Sequence, residues 1–151
     1  MVMAITIPAF GESLDKDFIA GREAHQAGDY KGAFTLFKGC AEKGHCGCMN
    51  SLGNCYLDGL GVEKDVVEAI RWHQAAYETG AKCGPAGLYS ALYLARIYAK
   101  GQGVERDPQR ARAWCNKALT LLDDPNLSRR LGSKGTNNYR ERIRKMLSTL
   151  K

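Results

Sequence analysis

Residues 52–76 read LGNCYLDGLGVEKDVVEAIRWHQAA, and residues 94–118 read LARIYAKGQGVERDPQRARAWCNKA. Offset by 42 positions, the segments share Tyr56/Tyr98, Gly59/Gly101, Gly61/Gly103, Asp65/Asp107, Ala69/Ala111 and Trp72/Trp114. The only two tryptophans of the chain thus occupy one position of one pattern. A period of this size marks supersecondary units that cannot bury an apolar face alone and must stack.

Each copy predicts a helix, a tight loop and a second helix. Leu52, Tyr56 and Leu57 carry an apolar stripe that Asp58-Gly59-Leu60-Gly61-Val62 interrupts. Two glycines in that loop allow positive φ without a Cβ clash. Asp65 suits an N-cap, with Glu68 three residues on completing a capping-box-like pair. Asp107 repeats the logic, with Pro108 at the first helical position. Val66, Ala69, Ile70, Trp72, Ala76 and Tyr77 then recur near a 3.6 period. Small residues at Ala69, Ala76, Ala111 and Ala118 let helices approach closely, while the tryptophans fill the space between pairs.

Working outward, a divergent unit lies upstream. Asp29-Tyr30-Lys31-Gly32-Ala33, followed by Phe34, Leu36, Phe37 and Cys40, aligns with Asp65 onward, but its inter-helix loop is shorter. Gly44 and Gly80 suit the position just past a helix end. The link 80–87 is longer than its counterpart after Gly44 and predicts a surface bulge. Downstream, Asp123-Asp124-Pro125-Asn126 stops a helix and Gly132-Ser133-Lys134-Gly135 reads as loop. Thr136 or Asn137 then caps a last helix carrying Tyr139, Ile143, Met146 and Leu147 inward, with its arginines toward water.

The run Leu52-Gly53-x-x-Tyr56-x-x-Gly59-x-Gly61-Val62-x-x-Asp65-x-x-x-Ala69-x-x-Trp72-x-x-x-Ala76 resembles a Sel-1-like repeat, a relative of the tetratricopeptide repeat. Residues from Tyr98 to Asp107 match equally well, with Ala95 where that family favours glycine. The segment Gly21–Gly44 looks more like a plain tetratricopeptide unit. The resemblance implies an all-α fold, a right-handed α/α superhelix (solenoid) of about three helix pairs plus a C-terminal capping helix. The corresponding division is an N-terminal extension at 1–14, a repeat domain at 15–122 and a linker with a basic capping helix at 123–151. Its units fall at about 15–47, 48–84 and 88–122.

With 151 residues, 44% of them hydrophobic and 25% charged, the chain is long enough for its own core. No stretch approaches the ~20 apolar residues of a membrane-spanning helix. Residues 129–151 carry eight Lys and Arg against Glu141 alone, whereas the remainder is nearly neutral. Such a tail could draw a polyanion, but Tyr139 has no aromatic company along it, and nucleic acid is disfavoured as a partner. The N-terminus shows no signal-peptide pattern, so a cytoplasmic location is expected. Exposed solenoid ends leave a homodimer open.

Catalytic signatures are missing: there is no G-x-S-x-G, no H-E-x-x-H and no phosphate-binding loop. The expectation is a non-enzymatic module without cofactors. Cysteine-rich relatives of the resembled family tie one repeat to the next through a pair spaced like Cys40 and Cys48. Here Ala76 and Ala118 occupy the positions equivalent to Cys40, so free thiols are favoured over a Cys40–Cys48 disulfide. A tetrahedral metal set of Cys40, His45, Cys46 and Cys48 is a weaker candidate, because its spacing fits no common zinc knuckle. Cys55 and Cys115 read as small core hydrophobes, and His25 and His73 as surface or interface residues.

Tetratricopeptide geometry, carried over from Gly21, Gly53 and Ala95, directs Arg22, His25, Asn50, Asn54, Arg96 and Lys100 into a concave groove. Cations at both ends and amides between them suit charge-assisted hydrogen bonds to an acidic ligand. The leading expectation is therefore an adaptor or scaffold that binds a partner protein or acidic peptide in that groove. An immunity-type inhibitor or chaperone for one cognate effector is the alternative, followed by nucleic-acid binding through the tail.

Overall fold

The computed structural model describes residues 10–79 and 84–150, which form seven helices and, among these residues, no strand. They are α1 (Phe10–Gln26), α2 (Tyr30–Glu42), α3 (Cys46–Asp58), α4 (Val66–Glu78), α5 (Pro85–Lys100), α6 (Pro108–Leu122) and α7 (Pro125–Thr149). Each packs on its neighbours in the chain, and α3 meets α5 as α5 meets α7. The odd-numbered helices thus line one wall of an α/α solenoid, with the even-numbered ones behind.

The repeat pattern has a local physical cause. Asp29, Asp65 and Asp107 cap the second helices: Asp29 accepts from the Gly32 amide at 2.9 Å and Asp107 from that of Arg110 at 2.8 Å. Asp65 accepts from the Val67 and Glu68 amides at 2.9 and 3.0 Å. The Asp65 and Asp107 amides donate in turn to the Tyr56 and Tyr98 carbonyls, both at 2.9 Å, which closes each loop onto its first helix. Glu68 does not complete a capping box; its carboxylate pairs with Arg71 at 3.5 Å.

The loop glycines are required by their surroundings. Gly61 and Gly103 hold φ of 76° and 73°. A Cβ on Gly61 would lie 2.0 Å from the Tyr30 carbonyl oxygen, and one on Gly103 would lie 2.4 Å from Val66 Cγ2. Each loop therefore seats its second glycine on the first residue of the preceding unit's second helix.

Burial runs along the stack. Leu14, Phe37, Leu52 and Cys55 belong to a first cluster; Leu57, Val66, Ala69 and Ile97 bridge onward; Leu88, Leu94, Trp114, Leu122 and Ile143 belong to the last. Ala69, Ala76, Ala111 and Ala118 are fully buried, as close helix contacts demand. Trp114 packs edge-on to Tyr77 at 5.2 Å, at the junction of the second and third pairs.

The structure departs from the sequence reading in four further places. Helix α1 begins at Phe10, with Leu14 already buried, where an extension to residue 14 was expected. Helix α7 starts at Pro125, capped by Asp124, and crosses the glycine-rich stretch with a kink at Gly132 (φ 71°, ψ 162°). Thr136 is no N-cap: it is buried and its hydroxyl donates to the Gly132 carbonyl at 2.9 Å. Buried Leu127 and partly buried Leu131 hold the first segment of α7 on the core, and Gly132 alone leaves helical geometry, so the expected break narrows from 132–135 to one residue. His73 is wholly buried rather than superficial. Gly80 and the first half of the expected bulge, 80–83, lie outside the described residues.

The fourth departure concerns the cysteines. Cys40 and Cys48 are joined by a disulfide, where the spacing favoured free thiols. Gly44, at φ 92°, turns the chain so tightly that the last turn of α2 and the first turn of α3 bring the two Cα atoms to 5.9 Å. Cys46 is disulfide-bonded as well. Cys55 and Cys115 are buried thiols, pushed up to about 11 by desolvation, with the Asp58 charge adding to the shift at Cys55. Because the thiolate is the reactive form, both are expected to resist iodoacetamide at pH 8 in the folded protein and to label only in denaturant. Peptide mapping by mass spectrometry checks this, and labelling of either in the native protein would refute its burial.

Candidate functional site

Two cavities lie along the wall of odd-numbered helices and share Asn50 and Tyr89. The first, about 970 Å³, lies among α1, the start of α3 and the start of α5. Arg22, His25, Asn50 and Asn54 line it, together with Asp15, His45 and Arg130. The second, about 680 Å³, lies between α5 and α7 and is lined by Arg96, Tyr93, Tyr139, Arg142, Lys145 and neighbours. Five of the six expected groove residues thus line a continuous two-part groove. Lys100 lines neither part; it is exposed at the end of α5.

The walls of the groove are held by polar contacts that consume some expected ligands. Asn50 is nearly buried, and its amide donates to the Ser90 hydroxyl at 2.8 Å, locking α3 to α5. Ser90 Oγ also lies 3.5 Å from His73 Nδ1. The His73 ring stacks on Tyr93 with centroids 4.9 Å apart and 9° between planes. Burial, reinforced by the Arg96 charge, holds the imidazole down to about 3, so His73 is neutral near pH 7. Its close neighbour is Gly53, where a Cβ would come 2.9 Å from the ring. The repeat's glycine therefore makes room for this histidine.

At the first end, His45 caps α3: its Nδ1 accepts from the Cys48 amide at 3.1 Å, so Nε2 carries the proton toward Asp15 Oδ1 at 3.1 Å. This holds α1 against the α2–α3 turn and engages Asp15, the acid lining the first cavity, in a hydrogen bond. His45 lies with the Cys40 and Cys48 sulfurs in a group whose ligand atoms are within 4.8 Å of one another. Sulfurs bonded to each other are not thiolates, and the structure offers no tetrahedral donor set from Cys40, His45, Cys46 and Cys48 in this oxidised form.

At the second end, the C-terminal helix does more than cover the core. Exposed basic side chains on it border both cavities: Arg142 and Lys145 line the second and Arg130 the first. Arg140 instead pairs with Asp123 at 2.7 Å and donates to the Leu122 carbonyl at 3.1 Å, pinning α7 to the end of α6. The Tyr139 hydroxyl beside Tyr89 pushes the Tyr89 phenol up to about 12. Sequence reasoning passed over Tyr89 and Tyr93, and it placed Tyr139 in the core of the capping helix and Arg142 and Lys145 in the basic tail rather than in the groove. A signal was present, since Tyr89, Tyr93 and Arg96 follow helical spacing on α5, as do Tyr139, Arg142 and Met146 on α7.

The Sel1 repeat family model matches residues 47–80 and 88–121, the second and third helix pairs. These two helix pairs are Sel1 repeats. Such repeats mediate protein–protein interactions and are typically non-catalytic. Over 88 residues the Sel1-like chain is 33% identical to an exopolysaccharide production negative regulator of Rhizobium leguminosarum bv. viciae, a match covering 56% of the chain and 33% of the relative. It spans about a third of that relative's length. Its fold is similar to a protective antigen of uropathogenic Escherichia coli strains with an SLR fold: TM-score 0.65, 28% identity, 91% of this chain and 28% of that one. A Sel1 repeat protein from Oxalobacter formigenes shares the fold at TM-score 0.58 and 23% identity, over 91% of this chain and 59% of that one. Among the described residues no helix is long and apolar enough to cross a membrane.

Proposed function

We propose that this Sel1-like repeat protein is a non-enzymatic adaptor that binds a partner protein, through an acidic peptide segment, along the groove of α1, α3, α5 and α7. The observation that carries the reading is the two-part groove with Arg22 and His25 at one end and Arg96 at the other. Among its described lining residues Asp15 is the one acid, and His45 already engages it. A field of one sign along a concave surface favours an anionic partner. The bonded cysteines favour an oxidising compartment over the cytoplasmic location expected from the sequence.

Arg22 is exposed and Arg96 half-buried, so reversing both charges leaves the main apolar clusters in place. The double variant R22E/R96E is expected to keep its fold by circular dichroism. Its capture of partners from native-host extract, read by quantitative mass spectrometry, should fall roughly tenfold or more, the scale of losing a charged hydrogen bond. Equal capture by the folded variant would refute the groove as the binding surface.

A further inference from the structure

We propose that the cavity between α5 and α7 is the specificity pocket of the groove, and that it takes an acidic side chain followed by an apolar one from an extended partner segment. This rests on the adaptor reading above and adds to it the place and chemistry of the decisive contact. Arg96, Arg142 and Lys145 converge on the cavity, and no Asp or Glu is among its described lining residues. None of the three is ion-paired among the described residues. The Arg96 Nε–H is buried without a hydrogen-bond partner. An unmatched buried donor on a cation costs stability unless a ligand satisfies it, and a carboxylate is the acceptor with matching charge and fork geometry.

The aromatic lining argues for a peptide rather than a nucleobase. Tyr93 is stacked on His73 at 4.9 Å, and its ring also carries the Arg96 guanidinium at 4.7 Å. Tyr139 has the Arg142 guanidinium at 5.7 Å and the Tyr89 ring at 5.9 Å. These rings are occupied in positioning cations, whereas base recognition needs open faces. Leu92 and Met146, both partly buried on the core, supply an apolar floor beside the cations. A segment that alternates acidic and apolar side chains satisfies both surfaces.

The test selects a displayed library of random peptides on the full chain, on R142E/K145E and on R22E. Arg142 and Lys145 are exposed, so their reversal spares the core. The full chain should enrich peptides with Asp or Glu next to Leu, Met or Phe. R142E/K145E should bind them at least roughly tenfold more weakly and enrich Lys- or Arg-bearing peptides instead, while R22E, at the other end of the groove, lowers capture but enriches the same set. Identical peptides on the full chain and on R142E/K145E, with the set lost only on R22E, would overturn the pocket and leave the groove reading intact. Absence of acidic peptides on the full chain would overturn both. An oligonucleotide or polyphosphate held more tightly than the selected peptides, and released by R142E/K145E, would overturn the peptide assignment in favour of phosphate.

Discussion

Replacing Gly61 with alanine should remove about 3–5 kcal/mol of folding stability, a large share of what a domain of this size holds. The new Cβ would sit 2.0 Å from the Tyr30 carbonyl oxygen and 2.5 Å from its carbon, at a φ of 76°. A non-glycine residue in the left-handed region costs about 1–3 kcal/mol, and overpacking adds about 1–3 kcal/mol. The obstructing atoms are backbone at the start of α2, which cannot swing away as a side chain could. Gly28 is the control: its φ is 83°, yet nothing lies within 4 Å of its would-be Cβ. Gly28→Ala should therefore cost only the conformational share. Urea unfolding of the two variants separates the effects, and equal losses would show that the loop does not seat on the preceding unit.

Acidification from pH 7 to pH 4.5 should destabilise the fold by about 2–3 kcal/mol through His73 alone. The imidazole is held to about 3 in the folded chain against its ordinary 6.5. Above pH 6.5 neither state carries the proton and the residue adds no pH dependence. Below it the unfolded chain binds a proton that the folded chain refuses, so stability falls toward about 1.4 kcal/mol per pH unit. The loss continues until the pH reaches about 3, where the folded form takes the proton as well. Desolvation is the main cause, and the Arg96 charge opposes a second positive charge beside it. His73→Phe keeps a ring against Tyr93 and forfeits the Ser90 contact, for about 1 kcal/mol at neutral pH. Its stability should then be flatter between pH 6.5 and 4 than that of the natural protein. Parallel pH profiles in denaturant melts would show that residue 73 is not the buried neutral group described.

The two predictions probe different links between sequence and fold. Gly61 was legible because positive φ and a missing Cβ are backbone demands that recur with the unit. His73 was not: on α4 it lies one residue after Trp72, and the chain alone does not say that Gly53, on another helix, opens a hole for its ring. The same holds for the cysteines. Their spacing was visible, but pairing depended on the close turn at Gly44 between α2 and α3. Helix α7 narrowed another expectation, since two glycines and a polar run between 132 and 135 imply a loop. The break is confined to Gly132, while packing at Leu127 and Leu131 and the Thr136 hydroxyl bonded across the kink hold helix on both sides of it.

What the sequence by itself determined is the sequence of helix pairs, their loops and their caps. Those features depend on dihedral preferences and hydrogen bonds within a few residues, and they repeat wherever the unit repeats. What only the tertiary structure decided is which cations share a cavity and which histidine loses its water. Arg96 meets Arg142 and Lys145 because α7 packs across α5, a contact between helices that are not consecutive. Side-chain periodicity gives a helix its inward face, but the crossing of helices far apart in the chain sets which of its edges meet, and the groove is built at those edges.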